Sequence, residues 1–167
     1  MYRFDSCQAH QINHMKRKIV AVIGGHDCTK EVEQLSHKLG INLRKVVNTL
    51  VCGGLSGVME AVCKGFKSKN NVTIGIIPTY DKNTANKYID IVIPTGLGLA
   101  RNVLVVKTAD VVIALPGKAG TLSEIAYCLQ LGIPVIGFKP WNMPGVAEVG
   151  SVAGAIKKVK EILRLKG

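Results

Sequence analysis

Apolar residues along the chain fall into short unbroken runs, separated by stretches in which they recur every three or four positions. The runs are KIVAVIGG from Lys18, LVCGG from Leu50, VTIGIIP from Val72, YIDIVIP from Tyr88, DVVIALPG from Asp110 and IPVIGF from Ile133. None alternates cleanly between apolar and polar positions, so each reads as a strand buried on both faces, the mark of a parallel sheet. Between the first two runs, Val32, Leu35, Leu39, Leu43 and Val46 share one helical face. Thr29 is the expected N-cap of that helix, Glu31 falls in its first turn, and Gly40 is a candidate interruption. A second helix carries Val58, Val62 and Phe66 with Met59 and Cys63 facing inward, and Ser56 is its expected N-cap. A third, in GLGLARNVLVVKTAD, places Leu99, Val103 and Val106 on one side. TLSEIAYCLQLG is a fourth helix. A loop with Trp141 and a basic terminal helix, AIKKVKEILRLKG, close the chain. Residues 1–17 show no periodicity and read as a flexible leader. Residues 18–167 read as a single α/β domain, a doubly wound, Rossmann-like parallel sheet with a nucleotide- or phosphate-binding rim.

Glycine marks the carboxyl ends of these strands: Gly24 and Gly25, Gly53 and Gly54, Gly96 and Gly98, Gly117 and Gly120. In parallel sheets ligands bind beyond those ends. In CGGLSGVME, Gly53, Gly54, Ser56 and Gly57 lead into a helix whose first amides can hold an anion; tight strand–helix packing explains the same glycines equally well. In LPGKAGTLSE, Gly117, Lys118, Ala119, Gly120 and Thr121 can form an amide nest for phosphate, with φ > 0 open to the two glycines. It is not a Walker loop, because the lysine precedes the second glycine. The competing reading of TLSE is a capping box, Thr121 as N-cap and Glu124 reaching back. Thr95 and Gly96 join the same candidate rim. His26 and Asp27, after the first strand, read as loop and cap residues, and Lys107 and Asp110 as helix-end charges.

Composition narrows the function. The chain of 167 residues is 47% hydrophobic and only 20% charged, which fits a folded domain with a substantial core. Twenty-two basic against 11 acidic residues give a formal charge of +11. That balance attracts polyanions, but the lysines are spread along the chain and aromatics make up only 5%. A small phosphorylated ligand is therefore expected rather than a specific nucleic acid. No apolar run is long enough to span a membrane, and the polar start HQINHMKRK does not resemble a signal-peptide core, so no membrane partner and a cytoplasmic location are expected. Five scattered cysteines without a C-x-x-C pair fit reduced, mostly buried thiols. Cys7, His10 and His14 have a spacing that could hold a metal, but in an aperiodic segment a plain polar leader is the better reading, and no metal is expected.

Taken in order, VIGG, VCGGLSGVMEAVCKG, IGIIP, IPTGLGLARN and LPGKAGTLSEIA resemble the LOG-like Rossmann superfamily, a group often labelled "possible lysine decarboxylase". The resemblance covers roughly residues 18–138 and is strongest to the branch of molybdenum-cofactor carrier proteins. Nothing in the chain looks like a pyridoxal-phosphate lysine site. Phosphoribohydrolase members carry P-G-G-x-G-T-x-x-E and an upstream arginine; here these are PGKAGTLSE and Arg101, 23 residues before Glu124. The resemblance implies that Gly117 to Thr121 hold a nucleotide 5′-phosphate while Arg101 and Glu124 flank the ribose as catalytic residues. A carboxylate there would stabilise an oxocarbenium-like sugar or activate water, freeing base and ribose 5-phosphate. The retained Arg101 and Glu124 favour this hydrolase as the first reading; two departures favour the alternative, a carrier or sensor. Lys118 replaces the second glycine, where a side chain would strain a φ > 0 position, and ARNVLVV replaces M-x-x-R-K. The implied ligand is AMP-like or molybdopterin-like, no cofactor is required, and a homodimer is implied, with the helix after the glycine loop near its interface.

Overall fold

The structure, a computed structural model, describes residues 18–138, 141 and 143–165. The leader, with Cys7, His10 and His14, lies outside the described residues. The strands are β1 (Ile19–Ile23), β2 (Thr49–Cys52), β3 (Val72–Ile77), β4 (Ile91–Pro94), β5 (Val111–Ala114), β6 (Val135–Phe138) and β7 (Val146–Val149). The helices are α1 (Lys30–Leu43), α2 (Val58–Phe66), α3 (Asn102–Lys107), α4 (Ala119–Gln130) and α5 (Val152–Leu165). All strand pairings are parallel, in the order β4-β3-β2-β1-β5-β6-β7. The chain therefore winds outward from β1 to β4, then crosses back to β5 on the other side of β1. That reversal opens a crevice at the carboxyl ends of β1 and β5.

Two apolar layers flank the sheet. One joins Val20, Val22, Leu50 and Ile113 to the buried faces of α1, α2 and α5; the other joins Ala21, Ile23, Val51 and Val112 to α3 and α4. Successive strand residues thus enter opposite layers, which is why the runs lack alternation. Phe66 is wholly buried in the first layer, and truncating such a side chain costs about 3–5 kcal/mol.

The expected elements are present with instructive shifts. Thr29 caps α1, its Oγ1 accepting from the Val32 amide at 3.4 Å. Gly40 does not interrupt α1. A Cβ there would lie 2.2 Å from the Val62 carbonyl oxygen on α2, so the glycine marks a close helix crossing. Ser56 is not the cap of α2: Gly57 occupies that position, and the Ser56 hydroxyl donates to the His26 carbonyl at 3.0 Å. The third helix begins later than its pattern suggests. A 3₁₀ turn over Gly98–Arg101 precedes α3, which turns Leu99 outward, 81% exposed, while Val105 and Val106 are buried. β4 is the edge of the sheet, and among the described residues nothing covers its α3/α4 side, so Ile91 and Ile93 are exposed rather than buried. The seventh strand falls in the segment read as a loop; VAEV has only four residues, one of them Glu148, too short an apolar stretch to stand out.

Candidate functional site

The cleft forms where the strand ends converge. Gly24, Gly25, His26 and Asp27 after β1, Gly53 after β2, Pro78 after β3, Gly98 and Arg101 before α3, and Lys118, Gly120, Thr121 and Glu124 after β5 line a cavity of about 220 Å³. The glycine-marked ends expected to meet at one rim therefore do so. Leu55, Met59 and Leu99 give it an apolar side. Gly54, Ser56, Gly57, Thr95, Gly96, Gly117 and Ala119 belong to the same strand-end junctions but do not line the cavity. Thr95 donates its hydroxyl to the Ile77 carbonyl at 2.8 Å, and Gly96 packs beneath the Tyr80 ring. Backbone bonds stitch the rim together: the Gly25 amide donates to the Pro116 carbonyl at 3.2 Å, and the Val58 amide to the Gly25 carbonyl at 3.0 Å.

The loop after β5 differs from the expected nest. α4 begins at Ala119, so Thr121 lies inside its first turn and Glu124 does not reach back as a capping box. Neither Gly117 nor Gly120 has a positive φ, and Lys118 is extended at φ −115°, free of the strain its side chain was expected to cause. Gly117 is instead a matter of space, since a Cβ would lie 2.1 Å from Thr121 Oγ1. Lys118 is exposed, and the first amides of α4 face a region that favours an anion.

Arg101 and Glu124 are both buried at the cleft, 7% and 6% exposed. Arg101 Nη2 donates to the Gly53 carbonyl at 3.1 Å, and Nη1 donates to Asn102 Oδ1. A Cβ at Gly53 would come within 2.5 Å of Nη2, so only glycine leaves room for the guanidinium. Asn102 passes the connection on, donating to Ser123 Oγ at 3.3 Å, which donates to the Gly120 carbonyl at 2.7 Å. Arg101 Nε is buried without a partner, an uncompensated cost of about 1–3 kcal/mol. Burial lowers the Arg101 pKa, opposed by Glu124. Glu124 makes no ion pair within 4 Å and no side-chain hydrogen bond among the described residues. Burial pushes its carboxyl up to about 8, against the pull of Arg101. At neutral pH it is chiefly a neutral acid, a donor more than a carboxylate.

His26 and Asp27, read as loop residues, line the cleft as an exposed pair with Nε2 and Oδ2 3.1 Å apart. The residue missed outright is Asn102; its adjacency to Arg101 in the sequence gave no sign of a relay to α4. Among the described residues no group of three or more His, Cys, Asp or Glu could hold a metal, and no helix is long and apolar enough to cross a membrane.

A protein of Archaeoglobus fulgidus is 40% identical over 126 residues, 75% of this chain and 83% of the relative. The molybdenum cofactor binding protein from Rippkaea orientalis superimposes with a TM-score of 0.80 at 34% identity, covering 89% of this chain and 99% of that one. The molybdenum cofactor carrier protein of Chlamydomonas reinhardtii gives a TM-score of 0.80 at 30% identity over the same shares. The model of the SLOG cluster4 family matches residues 17–164, and the chain belongs to that family.

Proposed function

We propose that the cleft binds a small phosphorylated ligand and that the chain is a carrier of a molybdopterin-type cargo rather than a hydrolase. The observation that carries this reading is the use of Arg101. Each of its Nη nitrogens gives one of its two N–H groups to the protein, so the guanidinium is pinned to Gly53 and, through Asn102, to α4; it serves first as a brace of the cleft wall, with Nε and the remaining N–H groups left for a ligand atom. The likeness to the two molybdenum-cofactor proteins supports the same choice. The phosphate would meet the α4 amides and Lys118. The cavity is smaller than a typical ligand pocket, so a flat ring would extend along the exposed lip of Leu97 and Leu99. No resident cofactor is needed.

One observation favours a second reading. A carboxyl that keeps its proton near neutral pH can protonate a leaving base, so Glu124 could serve an N-glycosidase as general acid. One experiment separates the two. The protein is incubated with nucleoside 5′-monophosphates, and binding is followed by calorimetry, free base and ribose 5-phosphate by chromatography. In parallel the purified protein is loaded with molybdenum cofactor and its retention is read from the fluorescence of the oxidised pterin. Retained pterin without base release supports the carrier; base release lost in Glu124→Gln supports the hydrolase.

The two faces also differ in charge. α5 exposes Lys157, Lys158 and Lys160, whereas α4 has no charged residue outside the buried Glu124 and exposes Leu122. A chain of charge +11 meets a second copy at least cost through its uncharged face, and exposed Ile91, Ile93 and Leu104 extend that face. A dimer through α3, α4 and β4 is the expected assembly, and Leu122→Glu should convert it to monomer in sedimentation velocity. Nucleic-acid binding, if measured, should be unselective and vanish at high salt.

A further inference from the structure

Behind the cleft wall, at the carboxyl end of β2, the thiols of Cys52 and Cys63 touch, with Sγ to Sγ 3.6 Å. Both are wholly buried, and the carrier reading uses neither. Their surroundings are unequal. The Gly54 amide donates to Cys52 Sγ at 3.4 Å, and the two sulfurs share a hydrogen bond in which either can be the donor. That bond with Cys63 holds the Cys52 thiol below its ordinary value, against burial, with the Gly54 amide and the positive charge of Arg101 adding to it. The same bond and burial push Cys63 well up. Cys128 is a contrast: burial first, then Glu124, push it up to about 12. An amide donor, a hydrogen-bonded thiol and a nearby cation are the features that make a cysteine a nucleophile, and a second thiol in contact can resolve its oxidised form.

We propose that Cys52 and Cys63 form a peroxide-sensitive dithiol whose oxidation acts on the cleft. The Cys52 thiolate attacks a hydroperoxide, giving the sulfenic acid and releasing hydroxide (or alkoxide, from an organic peroxide). Cys63 then attacks that sulfur, and its proton and the sulfenic hydroxyl leave as water. The product is a disulfide, two electrons having passed to the peroxide. Gly53 and Met59, the latter one helical turn before Cys63, line the cleft and separate it from the buried pair, so hydrogen peroxide would reach the thiols when that wall opens. Closing the bond draws the sulfurs from 3.6 Å to about 2.05 Å. Cys52 then leaves the Gly54 amide, and the adjoining Gly53 carbonyl, which holds Arg101, shifts with it. A core contact becomes a staple from β2 to α2 that loosens the arginine brace.

The test treats the full chain with hydrogen peroxide and maps its peptides without reduction. The expected product is a Cys52–Cys63 cross-link, reversed by dithiothreitol. In Cys63→Ser the reaction should stop at a sulfenic acid that dimedone labels on Cys52; should that variant not fold, Cys63→Ala serves. Wild-type protein that keeps both thiols free, or links Cys7 or Cys28 while this pair stays reduced, overturns the proposal. The effect on the cleft rests on the proposed ligand site and is read from AMP affinity before and after oxidation. A weakening of roughly tenfold is expected, within the usual range of site coupling. No AMP binding in the reduced protein would defeat the ligand reading and leave the cross-link result standing. Unchanged affinity in fully cross-linked protein would overturn the coupling.

Discussion

The two glycine-rich junctions at the cleft, after β2 and after β5, look alike in sequence and work differently. After β2 the backbone is the constraint. Gly57 has φ +65°, and a Cβ there would lie 2.4 Å from the His26 carbonyl oxygen and 2.6 Å from that of Gly25. After β5 no positive φ is used, and Gly117 meets the side chain of Thr121, while a Cβ on Gly120 would meet nothing within 4 Å. One junction is fixed by main-chain shape that no side-chain change can relieve. The other is fixed chiefly by the Thr121 hydroxyl, which a substitution can remove, while the Thr121 Cβ at 2.8 Å and the Gly25 nitrogen at 3.0 Å would remain.

The strongest way to break this contrast is Gly57→Ala. A left-handed residue forced against two carbonyls should cost about 3 kcal/mol or more in urea unfolding. A loss below about 1 kcal/mol would mean that the β2 junction is as pliable as its counterpart.

The β5 junction should show a larger pH signature, because it delivers Glu124. Its folded pKa of about 8 lies above the ordinary 4.5, so the folded state keeps a proton that the unfolded chain gives up. Its contribution is fully present below pH 4.5, falls as pH rises, and is gone above about 8, a slope of at most ~1.4 kcal/mol per pH unit. Glu124→Gln should flatten thermal stability across that window. A wild-type midpoint that does not fall between pH 5 and 8 would show that Glu124 ionises freely.

A double-mutant cycle sharpens the same point at smaller scale. Gly117→Ala should destabilise, and Thr121→Ala should recover roughly 1 kcal/mol of the loss, the coupling expected of groups in contact. No substitution of a neighbouring side chain should rescue Gly57→Ala. Last, Gly120→Ala lies in the first turn of α4 with open space around it, and should stabilise by roughly 0.5–1 kcal/mol. Destabilisation would show that the β5 loop needs glycine for its shape after all.

These junctions also mark how far the sequence could be read. Strand positions were legible because burial on both faces writes itself as unbroken apolar runs, and the convergence of their glycine ends followed from parallel topology. β4 obeyed the run and not the burial, because an edge strand looks the same in sequence as an inner one. The cap at Thr29 was legible because it is local. The capping box that TLSE offers as a competing reading does not form: the motif satisfies a local rule, but α4 already begins at Ala119 and Glu124 is buried. Arg101 and Glu124 do reach one cleft, but the bracing of Arg101 by Gly53 joins residues 48 apart and leaves no periodic trace.

The backbone bonds from Gly25 to Pro116 and from Val58 to Gly25 have a kinetic consequence. They tie the ends of β1, β2 and β5 to one another through main-chain groups, with no ligand needed to hold them. An arriving anion then has little chain to order, so the entropy lost on binding is mostly its own. Capture should be governed by diffusion and by the pull of a cationic molecule, faster at low ionic strength than at high. Release, with no lid among these stitched strand ends to open, should depend on how well the cleft's donors match the departing phosphate.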